Sequence, residues 1–248
     1  MEWTGEAIIL GVRRYGEADA IIDVISEHQG RYRGFVKGGL SRRRKAMLQP
    51  GNSVKARWRA RLDENLGSFY LEAGEVRAPL LFGDPNRLAA LLSASSLLMD
   101  ALPEREACAE IYRDLLALLT VLIDDSMDDL AWGRAYVLFE ANLLKDMGYG
   151  LDLGACAATG EVENLIYVSP KSGRAVSAEA GEPYQEKLFI LPAFLIGGED
   201  SELGDIAAGL TLMDHFIRER IHIHRPDHRR DAISSDRERL SRHFEGKK

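Results

Sequence analysis

The chain has 248 residues, of which 46% are hydrophobic, and a formal net charge of −7. This length accommodates one large domain or two small ones with a substantial core. The two cysteines, Cys108 and Cys156, are too few for a disulfide framework and indicate a reducing compartment. The N-terminal residues do not have the pattern of a signal peptide, and no apolar run approaches the ~20 residues that span a bilayer. We therefore expect a cytoplasmic protein.

The charge is distributed unevenly along the chain. Residues 1–79 contain 14 Lys and Arg against 10 Asp and Glu, a net charge of +4, which leaves a net charge of −11 for residues 80–248. The acidic total argues against a nucleic-acid partner. The asymmetry between the two segments is the better guide to partners, and it favours an anionic partner for the N-terminal segment.

Residues 1–79 have the pattern of a small β-domain. Short β-rich segments alternate with turn residues, and the segments leave no room for crossover helices between them. Five strands at this spacing predict an antiparallel, OB-like barrel, and a small SH3-like barrel is the alternative. The predicted strands are Glu6–Arg13, Ala20–Ser26, Arg31–Lys37, Ser53–Leu62 and Ser68–Arg77.

After Pro79 the apolar residues recur with the helical period of about 3.6. Residues 80–248 are therefore predicted to form a helical domain with a loop-rich insert at 150–181, which gives an α+β, two-domain protein. Asp84 is the expected N-cap of its first helix. The tail from Asp227 has little apolar content and is expected to be loosely held. The predicted helices run from Asp84 to Pro103, Arg105 to Ile123, Asp128 to Met147, Glu186 to Leu195 and Ser201 to His224.

The most distinctive feature of the sequence is a basic stretch at residues 31–61, which contains no Asp or Glu. Because like charges repel one another, so uniform a stretch indicates that an anion binds there. A nucleic-acid backbone is such an anion, and the forked guanidinium of arginine suits phosphate oxygens. The predicted nucleic-acid-binding residues are Arg31, Arg33, Lys37, Arg42, Arg43, Arg44, Lys45, Lys55, Arg57, Arg59 and Arg61.

Alternation within the fourth predicted strand gathers its basic residues. Side chains along a strand point to opposite faces in turn, so the basic residues of 55–61 share one face and the apolar residues of 54–62 share the core face. The segment Ser41–Lys45 follows Gly38-Gly39 and is expected to be a flexible loop that clamps the same ligand. Phe35 is a candidate for base stacking, with a core position as the equal alternative. No base-reading motif is present, which predicts binding that is independent of DNA sequence.

Other interpretations compete with this one. A basic strand face and loop are often simply solvated. Neither the spacing of His222, His224 and His228 nor the lone Cys156 of the insert suits a metal site, and Cys156 is interpreted as a small buried hydrophobe. The acidic residues of 124–129 lie between two helices, where they are expected to cap and complement helix ends. No nucleotide-binding or hydrolase motif occurs, so we expect a protein that is not an enzyme.

Several strings of the chain resemble the RecO family of DNA repair proteins. In the helical part they are Phe139–Leu153, Cys156–Gly160, Tyr167–Ser177 and Ile223–Pro226. In the N-terminal part they are the segments Gly30–Gly39 and Leu48–Gly51. The resemblance covers nearly the whole chain. The chain departs from the family in the insert. Several members carry a four-cysteine zinc knuckle there, whereas this chain retains only Cys156. A zinc ion is therefore not carried over from the family.

The resemblance implies an OB barrel, a helical C-terminal domain and the role of a recombination mediator. Members of the family bind single- and double-stranded DNA, anneal complementary strands, associate with RecR and help RecA load onto DNA coated by the single-stranded-DNA-binding protein SSB. It also implies an association with the nucleoid and a site for the C-terminal tail of SSB in the helical domain. Candidate residues for that site are Phe216, Arg218, Arg220 and Arg225. The alternative function is a protein-interaction adaptor whose basic barrel binds an acidic protein segment.

Overall fold

The N-terminal part of the chain is a closed five-stranded barrel, as the sequence predicts. The computed structural model describes residues 1–62, 65–198, 201–222 and 235–245. The strands follow the order β1-β2-β3-β5-β4, and β4 pairs back onto β1 to close the barrel. They are β1 (Glu2–Tyr15), β2 (Asp19–Ser26), β3 (Gly30–Val36), β4 (Ser53–Arg59) and β5 (Gly67–Ala73).

Alternating apolar residues and an aromatic cluster fill the barrel. Trp58 of β4 is 1% exposed, and its ring meets the edge of Tyr32 with the centroids 4.9 Å apart. The barrel closes between β3 and β5 through a short parallel pairing of Gly34 with Gly67 and Phe35 with Ser68. A Cβ atom at Gly67 would lie 2.1 Å from the Trp58 ring, so the close approach of the chain to that ring requires glycine here.

Two details of the barrel differ from the prediction. Strand β4 ends at Arg59, so alternation no longer governs Leu62, which was expected on the core face and is exposed. The predicted clamp loop is a short helix, α1 (Arg42–Met47), in which no residue is buried. Helix formation spreads its consecutive basic side chains around an axis, whereas a flexible loop would leave their directions undefined.

Two helices complete the first of two compact units, Met1–Ile123. Helix α2 (Pro85–Ala101) begins at the predicted N-cap, because Asp84 accepts hydrogen bonds from the backbone N–H groups of the first turn. Helix α3 (Ala109–Ile123) begins four residues later than predicted. Arg105 has a left-handed backbone (φ 70°), and its N–H donates to the carbonyl of Arg31 in β3. The domain boundary at residue 79 stays a prediction.

The second compact unit, Asp124–Lys248, is mainly helical. Within its described residues, a small sheet of order β7-β6-β8 lies in the predicted insert and just after it. Helix α4 begins after the N-cap Asp128, which accepts from the Ala131 N–H, and ends before Gly148, whose φ is +82°. The elements are α4 (Asp129–Asp146), β6 (Leu165–Val168), β7 (Ala175–Ser177), α5 (Ala178–Gly181), β8 (Phe189–Ile190), α6 (Leu203–Arg220) and α7 (Ser235–Phe244).

Two predictions for this unit are wrong. The helix expected at Glu186–Leu195 is instead the end of a 3-10 turn, strand β8 and the start of a second 3-10 turn (Ala193–Ile196), and Pro192 interrupts any helical ladder. The tail from Asp227, expected to be loosely held, contains α7, which buries Leu240 and Phe244, while residues 227–234 and 246–248 lie outside the described residues. Two apolar residues four positions apart suffice to dock a helix, even when its mean composition is polar. No helix in the described part of the chain is long and apolar enough to cross a membrane.

Candidate nucleic-acid interface

The outer face of β4 presents basic side chains, as the alternation predicts. Lys55, Arg57 and Arg59 are exposed, while Val54, Ala56 and Trp58 point into the core. Arg61, just beyond the strand, is exposed as well. Side chains two residues apart on a strand face are spaced by ~6–7 Å. The barrel therefore carries a row of cations along one strand.

Helix α1 and the end of β3 supply further basic residues. Arg42, Arg43 and Lys45 are exposed on α1, and the guanidinium of Arg44 donates to the backbone carbonyl of Lys37. This hydrogen bond fixes α1 against the chain that leaves β3. The cations of α1 are therefore presented from a defined helix, held by hydrogen bonds to the barrel.

Arg31 and Arg33 do not belong to this outer row. Arg31 is 7% exposed, and its Nε lies 3.2 Å from Oδ1 of Asp23 on β2. Arg33 Nε lies 3.2 Å from the same oxygen, and both guanidinium groups also reach Glu104. Because each is bound by carboxylates within the protein, we leave Arg31 and Arg33 out of the candidate surface.

The absence of acids within 31–61 does not mean that the basic row is unbalanced. Neighbouring strands supply carboxylates: Glu6 and Glu72 stand opposite Lys55 in the sheet, and Glu2 forms an ion pair with Arg57. The hydrogen bond between them lowers the pKa of Glu2 and raises that of Arg57. Both side chains are solvent-exposed, so this pair contributes little to stability and yields readily to another anion.

The remaining cations of the basic stretch define the candidate surface. Within the described residues, none of them is engaged in an ion pair with a carboxylate. They come from three elements that adjoin on the outside of the barrel: the end of β3, helix α1 and strand β4. They are Lys37, Arg42, Arg43, Arg44, Lys45, Lys55, Arg59 and Arg61.

Two clefts lie on this surface, and Tyr70 lines both of them. One cleft of about 730 Å³ includes Phe35, Lys37, Arg44 and Lys55 in its wall. The other, of about 680 Å³, includes the cations Arg59 and Arg61. Phe35 thus faces the outer surface rather than the barrel core, which resolves the alternative that its sequence position left open.

Tyr70 was not predicted from the sequence, although a signal for it exists. Ser68, Tyr70 and Glu72 alternate with Phe69 and Leu71 along β5, which places Tyr70 on the polar face. It is 70% exposed. It therefore offers an accessible aromatic ring on the strand next to the basic face of β4.

The structure does not bring the candidate SSB-tail residues together. Phe216 of α6 is buried, while Arg220 of the same helix is exposed. Arg218 donates to Asp214 one turn earlier, at 2.8 Å. Arg225 lies outside the described residues. Among the described residues, Phe216 therefore forms no exposed apolar pocket with Arg218 and Arg220.

The insert holds Cys156 by hydrogen bonds. The thiol is buried and accepts from the backbone N–H of Ser177 at 3.3 Å and from its hydroxyl at 3.4 Å. Burial opposes ionisation, but hydrogen bonds from Ser177 and Thr159 outweigh it and lower the pKa of Cys156 to about 6. Cys156 is therefore a buried acceptor that fixes the turn, a role beyond that of the small hydrophobe expected from the sequence.

The titratable groups offer no metal site within the described residues, where no three His, Cys, Asp or Glu side chains converge. His222 is buried, and burial together with Arg218 lowers its pKa. The surroundings of His222 therefore disfavour a charged imidazole. His224 and His228 lie outside the described residues.

The strand order and closure, with a short helix between β3 and β4, are those of an OB barrel. The first unit thus defines a class: a protein with an OB barrel whose outer face is basic, joined to a second, mainly helical unit.

Comparison with known proteins specifies the family. Residues 1–77 match the family model "Recombination protein O N terminal", and residues 83–230 match "Recombination protein O C terminal". The chain is 44% identical over 221 residues to the DNA repair protein RecO of Xanthobacter autotrophicus, with 89% of each chain covered. It is 48% identical over 217 residues to RecO of Rhodopseudomonas palustris strain TIE-1, covering 87% of this chain and 84% of the relative. The chain belongs to the RecO family of DNA repair and recombination proteins.

Proposed function

We propose that this protein is a DNA-binding recombination mediator that acts without catalysing a covalent step. It binds single- and double-stranded DNA through the barrel, anneals complementary strands and, with RecR, helps RecA load onto single-stranded DNA coated by SSB. Membership of the RecO family supports the repair and recombination role. The observation that supports DNA contact is the set of exposed or half-exposed cations on α1, on β4 and just after β3 and β4, of which Lys37, Arg44 and Lys55 line one cleft and Arg59 and Arg61 line the other.

Annealing follows from this surface by electrostatics. Two complementary strands are polyanions that repel one another, and a basic surface that neutralises phosphates lowers the repulsion without chemistry. If about five to seven cations contact phosphates, log affinity should fall against log salt with a slope of about −4 to −6. Because the candidate surface is an array of phosphate-binding groups, binding is independent of sequence.

The protein partners are proposed on the strength of the family. The acidic balance of residues 80–248 makes the helical part a poor second DNA surface and suits it better to protein partners. RecR and the C-terminal tail of SSB are the proposed partners, and RecA is affected indirectly. The site of action is the cytoplasm, at the nucleoid.

The decisive experiment reverses three charges of α1. We expect the combined variant Arg42→Glu, Arg43→Glu and Arg44→Glu to lose binding to unrelated DNA sequences alike, and to lose annealing of labelled complementary strands with and without SSB. The matched control makes the same charge change at Lys171, Lys187 and Arg239, which are exposed in the second unit. Equal losses in both variants would show an effect of net charge only.

The same titrations separate the proposal from the adaptor alternative. Affinity of the wild-type protein for single-stranded DNA should fall steeply between two salt concentrations. Absent or salt-insensitive binding would overturn the proposal and favour an adaptor for an acidic protein segment. Cleavage of DNA in the presence of magnesium would contradict a function without covalent chemistry.

A further inference from the structure

Tyr70 and Ser68 of β5 line both clefts of the candidate surface, and Tyr70 is the aromatic residue of the two. It belongs to the walls of both clefts, the one with Phe35, Lys37 and Lys55 and the one with Arg59 and Arg61. Tyr70 is 70% exposed, so its ring is accessible to a ligand. The ring therefore stands at the divide between two clefts, each of which has cations in its wall.

We propose that Tyr70 is a base-stacking residue: one unstacked base of a bound strand lies on its ring, and the flanking phosphates occupy the two clefts. This rests on the proposed function, since it assumes that DNA is the anion bound by the surface. Every base has a π-face, so stacking on tyrosine adds affinity without selecting a sequence. It also requires a base that is free of its partner, which a closed duplex does not offer.

The neighbours of Tyr70 suit this role. Arg57 stands directly opposite it on β4, and Ser68, two residues earlier on the same face, faces Arg59. A strand whose base covers Tyr70 thus has the Arg57 guanidinium, in its exposed pair with Glu2, beside the ring, and that of Arg59 two residue pairs along the sheet. Phe35 pairs with Ser68 across the β3–β5 join and provides a second aromatic surface in the first cleft.

A purely structural role for Tyr70 would be a cross-strand contact with Arg57, which stabilises a sheet modestly. That role predicts a loss of stability on truncation and no dependence on whether the ligand has bases. The stacking role predicts little change in stability and a loss of affinity only for a ligand that has bases. The two are therefore separable by choice of ligand.

The test uses the full-length chain with Tyr70→Ala and Tyr70→Phe, and Tyr184→Ala as the control, since Tyr184 is an exposed tyrosine of the second unit. Ligands are an oligothymidylate and an abasic oligomer with the same number of phosphates. We expect Tyr70→Ala to weaken oligothymidylate binding ~5- to 150-fold and to leave abasic binding unchanged. Tyr70→Phe, which retains the ring, and the control should bind like wild type.

A second readout reports stacking directly. A strand containing 2-aminopurine should be quenched on binding to wild type and less quenched on binding to Tyr70→Ala at saturation. If wild type binds DNA but Tyr70→Ala weakens both ligands equally, or neither, the stacking role is wrong while the proposed function stands. If wild type binds neither ligand, the proposed function itself fails.

Discussion

Arg31 Nε lies 3.2 Å from Asp23 Oδ1, and the two side chains are 8% and 5% exposed. Arg31 also donates to the backbone carbonyl of Leu102, just beyond α2. Arg31, at the start of the basic stretch, thus links β3 to β2 and to the segment that follows α2 by hydrogen bonds. Its positive charge is balanced by carboxylates within the protein.

We expect Asp23→Asn to lower the free energy of unfolding by about 3 kcal/mol, because it removes the buried carboxylate of Arg31 and leaves the guanidinium with the more exposed Glu104. Urea unfolding measures the change. The control is Glu27→Gln, which breaks the more exposed ion pair with Arg113 and should cost less than about 1 kcal/mol. An equal loss in the two variants would contradict the structural role given to Asp23.

Removal of Glu2 should strengthen DNA binding. Glu2 occupies the guanidinium of Arg57, so Glu2→Gln leaves Arg57 available to a phosphate. We expect affinity to rise up to ~5-fold at low salt and the salt slope to steepen by about 0.7–1. The control is Glu110→Gln on α3, which makes the same change of net charge. The idea fails if both variants gain affinity equally.

The buried pair of Glu140 and Arg237 should give stability a distinctive pH dependence. Arg237 of α7 donates a 2.9 Å hydrogen bond to Glu140 of α4, which is fully buried. Burial raises the pKa of Glu140 from 4.5 to about 7, even though Arg237 opposes the shift. Because the folded chain then holds the proton more tightly than the unfolded chain, this contribution is complete below pH 4.5 and is lost as the pH rises through about 7.

We therefore expect wild type to lose up to ~3 kcal/mol of stability relative to Glu140→Gln between these pH values, as measured by urea unfolding at steps of pH. The lowered pKa of His222 has the opposite sign, since it removes stability as the pH falls below 6.5. His222 is present in both proteins, so its effect largely cancels in the difference. Parallel pH profiles for the two proteins would refute the assignment.

Cys156 should stabilise the insert most at alkaline pH. Its pKa is about 6 in the folded chain against an ordinary 9, so its contribution is complete above pH 9 and is lost as the pH falls through 6. We expect Cys156→Ala to be less stable than wild type by about 1 kcal/mol or more at high pH, because Ser177 loses its acceptor. The difference should shrink on acidification. The difference between Cys156→Ser and Cys156→Ala should not change with pH in this way, because serine is a neutral acceptor.

The sequence predicted what depends on local periodicity. Alternation along residues 54–60 correctly placed the cations outside and Trp58 inside, and Asp84 and Asp128 were correctly read as helix caps. These features require information from residues only a few positions apart. The barrel itself followed from the number and spacing of such strands.

What the sequence could not reveal depends on partners distant in the chain. Asp23, which holds Arg31 and Arg33, stands beside them only because β2 pairs with β3 in this register. Glu2 reaches Arg57 across a pairing of β1 with β4 that closes the barrel. The absence of acids within 31–61 therefore suggested more unpaired positive charge on the surface than the structure shows.

The shortest strand pairing of the barrel, that of β3 with β5, runs beneath the first cleft, since Phe35 and Ser68 belong to both. A nucleic-acid strand lying in that cleft would bridge the two sides of this seam, with Lys37 following β3 on one side and Tyr70 of β5 on the other. DNA binding would then stabilise the pairing of β3 with β5, and the DNA-bound protein would resist thermal opening of this pairing more than the free protein does.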